Sequence, residues 1–113
     1  MNDAAPGGND RVDVDAVLDL GTGISASERE QVVAALGAVE SRLRSLDRSL
    51  LRIEAWVKNR DDNDQIVYLA VRAGNVDIVA HDQSRDFGRS LLAARNDLRR
   101  QLTDAHDRRN HRR

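Results

Sequence analysis

Residues 65–102 read QIVYLAVRAGNVDIVAHDQSRDFGRSLLAARNDLRRQL, and the period of the apolar residues changes within that run. Gln65 to Ala73 is apolar on both strand faces, at Ile66, Val67, Tyr68, Leu69, Ala70 and Val71, as a central strand would be. Gly74-Asn75 predicts a tight hairpin turn. Val76, Ile78 and Ala80 then alternate with Asp77, Val79 and His81, a second strand over 76–81. Beyond it the spacing lengthens. Phe87, Leu91, Ala94, Leu98, Leu102 and Ala105 recur every three or four residues, one face of a helix whose cap is expected at Asp82 or Ser84. A hairpin running straight into an amphipathic helix points to an α+β fold, because the helix stripe has to be buried against the sheet.

Toward the C-terminus the same helix is basic. At about 100° per residue, Arg85, Arg89, Arg99 and Arg100 fall opposite the apolar stripe and Arg95 on its flank. Arg108, Arg109, Arg112 and Arg113 follow where the stripe stops. From Arg85 onward nine Arg face four Asp, a net of +5; the chain as a whole carries −1, so residues 1–84 carry −6. A near-neutral total hides a polarised molecule. Such a cluster is either a solvated helix face or an electrostatic footprint for nucleic acid.

Toward the N-terminus, Ser49 to Lys58 alternates. Leu51, Ile53, Ala55 and Val57 face one way; Arg52, Glu54, Trp56 and Lys58 face the other. Arg60-Asp61-Asp62-Asn63-Asp64 is a solvated turn, lacking the Gly and distal Glu of a calcium loop. Ser27-Glu28-Arg29-Glu30 has the form of a capping box. Val32, Leu36, Val39, Leu43 and Leu46 then mark a helix of about five turns, within which Gly37 is expected to allow close packing. Gly21-Thr22-Gly23 is a turn, not a phosphate loop, and Arg11 to Leu20 alternates as a half-buried first strand. Met1 to Asp10 is a polar leader expected to be disordered. The predicted order is β-α-β-β-β-α: a four-stranded mixed sheet with two helices on one face, and the first strand parallel to the second. One domain spans 11–106, and 107–113 is a basic tail. Arg52, Glu54, Trp56, Tyr68, Arg72, Asp77 and His81 should line the other sheet face.

Composition narrows the function. With 113 residues there is room for one modest core, and one Phe, one Tyr and one Trp leave Val, Leu, Ile and Ala to build it. There is no Cys, so disulfides and thiolate metal sites are excluded. No apolar run approaches the roughly 20 residues needed to cross a bilayer, and no secretory signal opens the chain, which reads as cytoplasmic. His106 and His111 do not share a helical face, no serine sits in a nucleophile elbow, and the carboxylates scatter. Neither an enzyme, a cofactor nor a metal is expected. Seventeen Arg stand against one Lys, a preference suited to phosphate and base contacts.

Over about residues 12 to 109 the chain resembles the ribosome hibernation-promoting factors, also called ribosome-associated inhibitor A or ribosomal subunit interface proteins. The order of elements is the same. LDLGTGISASEREQVV is similar to that family's strand, Gly-containing turn and first helix. AHDQSRDFGRSLLAARNDLRRQLT is similar to its last strand and last helix, with Arg100-Gln101-Leu102 and Leu98 matching directly. The resemblance implies a bacterial protein on the small ribosomal subunit. It would contact 16S rRNA in the mRNA and tRNA channel through basic helix residues and silence translation in starvation or stationary phase. Arg100 and Arg108 fall where the family has a basic side chain; Asp97 and Asp104 stand where it has Lys, and Phe87 comes one place early. Arg85, Arg89, Arg95, Arg99, Arg109, Arg112 and Arg113 complete the expected RNA-binding set. The long members' C-terminal ribosome-dimerising domain is not expected, and the chain should be a monomer or weak homodimer. Two other readings remain open: a module for double-stranded or structured RNA outside the ribosome, and a protein-interaction module seated on Trp56, Tyr68 and Val79 or on Leu92.

Overall fold

The computed structural model describes residues 11–111, with side chains through Arg108. The expected leader and the positions of Arg112 and Arg113 lie outside the described residues. Four strands form one mixed sheet in the order β1 (Leu18–Leu20), β2 (Arg52–Lys58), β3 (Gln65–Ala73), β4 (Val76–Ser84). β1 runs parallel to β2, with Leu18 opposite Ile53; β2, β3 and β4 form an antiparallel meander. This is the predicted α+β sheet. Gly74, at φ 62°, makes the hairpin turn.

The first strand is shorter than expected. Of Arg11 to Leu20, only the last three residues pair, and Val14–Val17 coils into a one-turn helix, α1. The register explains it. With Leu18 opposite Ile53, the residues before Val17 would have to pair with chain preceding β2, and that chain is a 3₁₀ turn, Arg48–Leu50. Other partners take the backbone instead. Val12 N donates to Glu40 Oε2 at 2.8 Å, and Arg29 Nη2 donates to the carbonyls of Asp15 and Leu18 at 2.7 and 3.0 Å.

The first long helix is broken into α2 (Arg29–Leu36), a 3₁₀ turn Gly37–Val39, and α3 (Glu40–Leu43). The capping box lies two residues earlier than read, on a 3₁₀ turn, Ala26–Glu28, that leads into α2. Ser25 N donates to Glu28 Oε1 at 3.0 Å, in place of the Ser27 and Glu30 pair. Two overlapping Ser-x-x-Glu patterns exist, and Arg60 decides between them by gripping Glu28 through both guanidinium nitrogens. Gly37 permits no close approach: a Cβ built there meets nothing within 4 Å. Gly23 does need to be glycine. Its φ is 84°, and a Cβ would lie 2.5 Å from Val57 O.

The last helix, α4 (Phe87–His111), continues through the expected domain boundary at 106. Its cap is neither Asp82 nor Ser84, because β4 extends three residues beyond His81 to Ser84. Asp86 serves instead, its Oδ1 accepting from Gly88 N at 3.3 Å, while Ser84 Oγ accepts from Asp86 N at 3.2 Å. α4 lies over β3 and β4, with α2 and α3 along its flank. Leu36, Val39, Leu43, Leu91, Leu98 and Leu102 are buried with Ile53, Val57, Leu69 and Val71 in one core, on one sheet face, as the stripes require.

Candidate nucleic-acid interface

Burying the α4 stripe turns its other side to solvent, and the predicted arginines separate there by what they hold. Arg89, Arg99 and Arg108 are exposed, and none of their guanidinium groups has a hydrogen bond or ion pair among the described residues. Arg85 belongs to the link between β4 and α4 and not to the helix; its guanidinium is likewise unpaired, while its carbonyl accepts from buried Gln65 Nε2. Arg100 is ion-paired with Asp97 one turn earlier. Arg95 is only partly exposed. Its Nη1 donates to Ala35 O at 3.3 Å and its Nε to Asn96 Oδ1 at 2.8 Å, so it ties α4 to α2. The side chains of Arg109, Arg112 and Arg113 lie outside the described residues.

Asp97 does more than offset a charge. Its second oxygen accepts from Gln101 Nε2 at 2.9 Å, and that same nitrogen donates to Val79 O at 3.1 Å. The carboxylate therefore holds Gln101, the side chain that links α4 to β4, at a position where the resemblance would place a Lys.

One cation escaped the sequence reading. Arg42, on α3, is exposed and reaches α4, donating from Nε to Thr103 Oγ1 at 2.9 Å; Thr103 in turn bonds the carbonyl of Arg99. No carboxylate pairs with Arg42 among the described residues. A helical wheel carries the signal. Arg42 lies seven residues after Ala35, on the flank that meets α4. The basic surface thus spans two helices, with exposed Leu92 and a shallow groove between α2 and α4 beside Arg89 and Arg95. Planar, permanently charged guanidinium groups with free donors are suited to phosphate oxygens.

Elsewhere several charges are committed. Arg60 Nη2 lies 2.7 Å from Glu28 Oε2, its Nη1 donates to Gly23 O at 2.7 Å, and its guanidinium stacks 4.2 Å from the centre of the Phe87 ring. Its hydrogen bond holds the Glu28 carboxyl down at about 2. Arg44, with the Val12 N–H, does the same for Glu40, also about 2. On the open sheet face Arg72 pairs with Glu54 at 3.1 Å and Asp77 at 3.3 Å, and Arg52 lies 3.8 Å from Asp19. Among the described residues no cluster of His, Cys, Asp or Glu could hold a metal ion, and no helix is long and apolar enough to cross a membrane.

No protein-family model matches the chain, and no curated protein matches it. Among solved structures it is similar to a ribosomal subunit interface protein from Coxiella burnetii, with a TM-score of 0.62 and 20% sequence identity, over 80% of this chain and 97% of that one. At that identity the likeness is one of fold, the same fold that the sequence resemblance implied.

Proposed function

We propose that this chain is a ribosome-associated translation inhibitor of the hibernation type, a cytoplasmic, non-enzymatic factor that binds 16S rRNA of the small subunit. The reading rests on one observation above all: among the described residues the exposed guanidinium groups of Arg89, Arg99 and Arg108 on α4 stand unpaired, with Arg42 reaching α4 from α3 and Arg85 just before the helix. The fold shared with a ribosomal subunit interface protein supports the choice of partner. The mechanism is occlusion. A folded domain lodged in the mRNA and tRNA channel under starvation excludes both ligands, and its affinity comes largely from counterions released as arginines neutralise phosphates. Arg100 belongs to the same set, the sequence adds Arg109, Arg112 and Arg113 as further candidates for phosphate contact, and Arg95 holds the two helices at their spacing.

Sedimentation tests it directly. Purified protein mixed with small subunits should travel with them at low salt and leave them as salt rises. Translation in a cell-free system should fall in step with occupancy. Failure to co-sediment at low salt, or equal binding to any duplex RNA, would reject the ribosomal reading.

A further inference from the structure

The sheet face turned away from the helices carries a ladder of rings. Trp56, Tyr68 and His81 are directly paired across β2, β3 and β4. The Trp56 and Tyr68 rings are 5.0 Å apart and within 4° of parallel, and Tyr68 and His81 are 5.6 Å apart at 18°. The row continues onto the chain of β1. Asp19 is opposite Glu54 and Leu20 opposite Ala55, so the next residue, Gly21, stands beside Trp56, and its N–H donates to Ala55 O at 2.7 Å. Where a fourth ring would stand there is no side chain. A Cβ on Gly21 would come within 3.0 Å of Trp56 Cβ. The result is a recess of about 440 Å³ beside Trp56, bordered by Asp19, Gly21, Thr22, Glu54 and Arg72.

We propose that this recess is a slot for one unpaired nucleobase, stacked on the free face of Trp56 as the next ring of the ladder. Neighbouring strands are about 4.8 Å apart, so a planar ring above Gly21 meets the indole at nearly the spacing Tyr68 keeps on the other side. Charge selects a neutral ring over an ion. Asp19 and Glu54 already face Arg52 and Arg72, so neither a free phosphate nor a lone cation finds an uncompensated partner. What remains is a polar rim. The carboxylates accept from amino and ring N–H groups, and Arg72 donates to carbonyl or ring nitrogen acceptors. Guanine offers two adjacent donors on one edge and acceptors on another, which matches that rim. Uracil offers one donor between two acceptors and matches it less well. The sugar and phosphate stay outside, away from the carboxylates. This inference stands on the sheet geometry and not on the ribosomal reading, and its test needs no ribosome.

Trp56 is the only tryptophan, so indole emission reports the slot alone. The full chain is titrated with guanosine and uridine 5′-monophosphates, with excitation at the red edge of the indole band where nucleotides do not absorb. Saturable quenching is expected, with guanosine monophosphate roughly fivefold or more tighter, as one base-edge contact provides. Gly21→Ala, which fills the floor, should weaken it roughly tenfold, the scale of a lost base stack. Glu54→Gln keeps the shape and removes the charge, so the stack should survive while the preference for guanine narrows; this variant carries the test if Gly21→Ala does not fold. Arg99→Ala should titrate like the parent. Quenching that rises linearly without saturation overturns the proposal. So does saturable quenching that is indifferent to both substitutions in folded protein. Saturation by arginine amide but by neither nucleotide would also overturn it and make the recess a cation site.

Discussion

The two broad faces of the molecule use the same residue in opposite ways. On the sheet face every arginine has an acid within reach: Arg52 by Asp19, and Arg72 between Glu54 and Asp77. Even Lys58 sits 5.6 Å from the centre of the Tyr68 ring. On the α4 face Arg89, Arg99 and Arg108 have no such partner among the described residues, and only Arg100 is held by an acid. A net charge of −1 conceals this completely. Paired arginines have already released part of their attraction for an outside phosphate, whereas unpaired ones keep it. Arginine count along the sequence is therefore a poor guide to a binding surface, and arginine pairing in the fold is a better one.

The contrast depends on α4 being docked, and undocking it is the largest way to break it. Leu98 is fully buried in the shared core. Leu98→Ala should cost about 2–5 kcal/mol, as core truncations to Ala do, read as a shift of the denaturant midpoint; a variant that unfolds with the parent would mean the stripe is not held against the sheet. Arg60→Ala comes next. It removes a two-pronged, partly buried pair with Glu28, a bond to Gly23 O and the ring contact with Phe87. A loss of roughly 2 kcal/mol is expected from the charged hydrogen bonds. Because Arg60 joins the turn after β2 to the starts of α2 and α4, the region around Ser25 and Phe87 should lose amide exchange protection before the sheet does.

Acid acts on the same contacts more gently. Glu28 and Glu40 are both held at about 2 against an ordinary value of 4.5. Their folded-state values are depressed, so the stability they contribute is complete above pH 4.5 and is lost as pH falls toward 2. The denaturant midpoint of the parent should decline through that window. Glu28→Gln should start lower at neutral pH and decline less steeply. If parent and variant decline in parallel, Glu28 is not a folded-state anchor.

Much of this was legible in the sequence because periodicity records burial. The hairpin of β3 and β4, the stripe of α4 and the open face of Trp56, Tyr68 and His81 all follow from alternation or helical spacing. The ends of elements were not legible, because remote partners set them. β1 is short because the chain ahead of β2, which would face the residues before Val17, is a 3₁₀ turn. Ser25, and not Ser27, caps the 3₁₀ turn that opens the first helix, where Arg60, 32 residues on from Glu28, fixes that glutamate. Asp86 caps α4 because β3 pairs as far as Ser84. The candidate surface divides the same way. The wheel placed Arg89, Arg99 and Arg100 opposite the stripe and Arg95 on its flank, but it could not see that Arg95 would be spent on Ala35 O, that Arg100 would fold back on Asp97, or that Arg42 would arrive from α3.

The smallest effects on stability sharpen the comparison most. Arg72 and Arg99 are both exposed, and removing either should change folding by no more than about 1 kcal/mol. They should part in a salt titration of small-subunit binding. Arg99→Ala should make the log–log slope shallower by roughly one neutralised phosphate, about 0.7 to 0.9, and Arg89→Ala the same. Arg72→Ala should leave the slope alone, since its guanidinium is already engaged by Glu54 and Asp77. Asp97→Asn provides the converse. Asparagine can still accept from Gln101, so the link from α4 to Val79 is kept, while the ion pair that restrains Arg100 is lost. The slope should then steepen by up to one unit with little change in melting temperature. A lysine there would add charge but give up the acceptor for Gln101, so its gain in binding should come with a loss in stability that the asparagine avoids. Equal slopes for Arg72→Ala and Arg99→Ala would show that pairing does not decide which arginines meet RNA, and the division between the two faces would have no functional meaning.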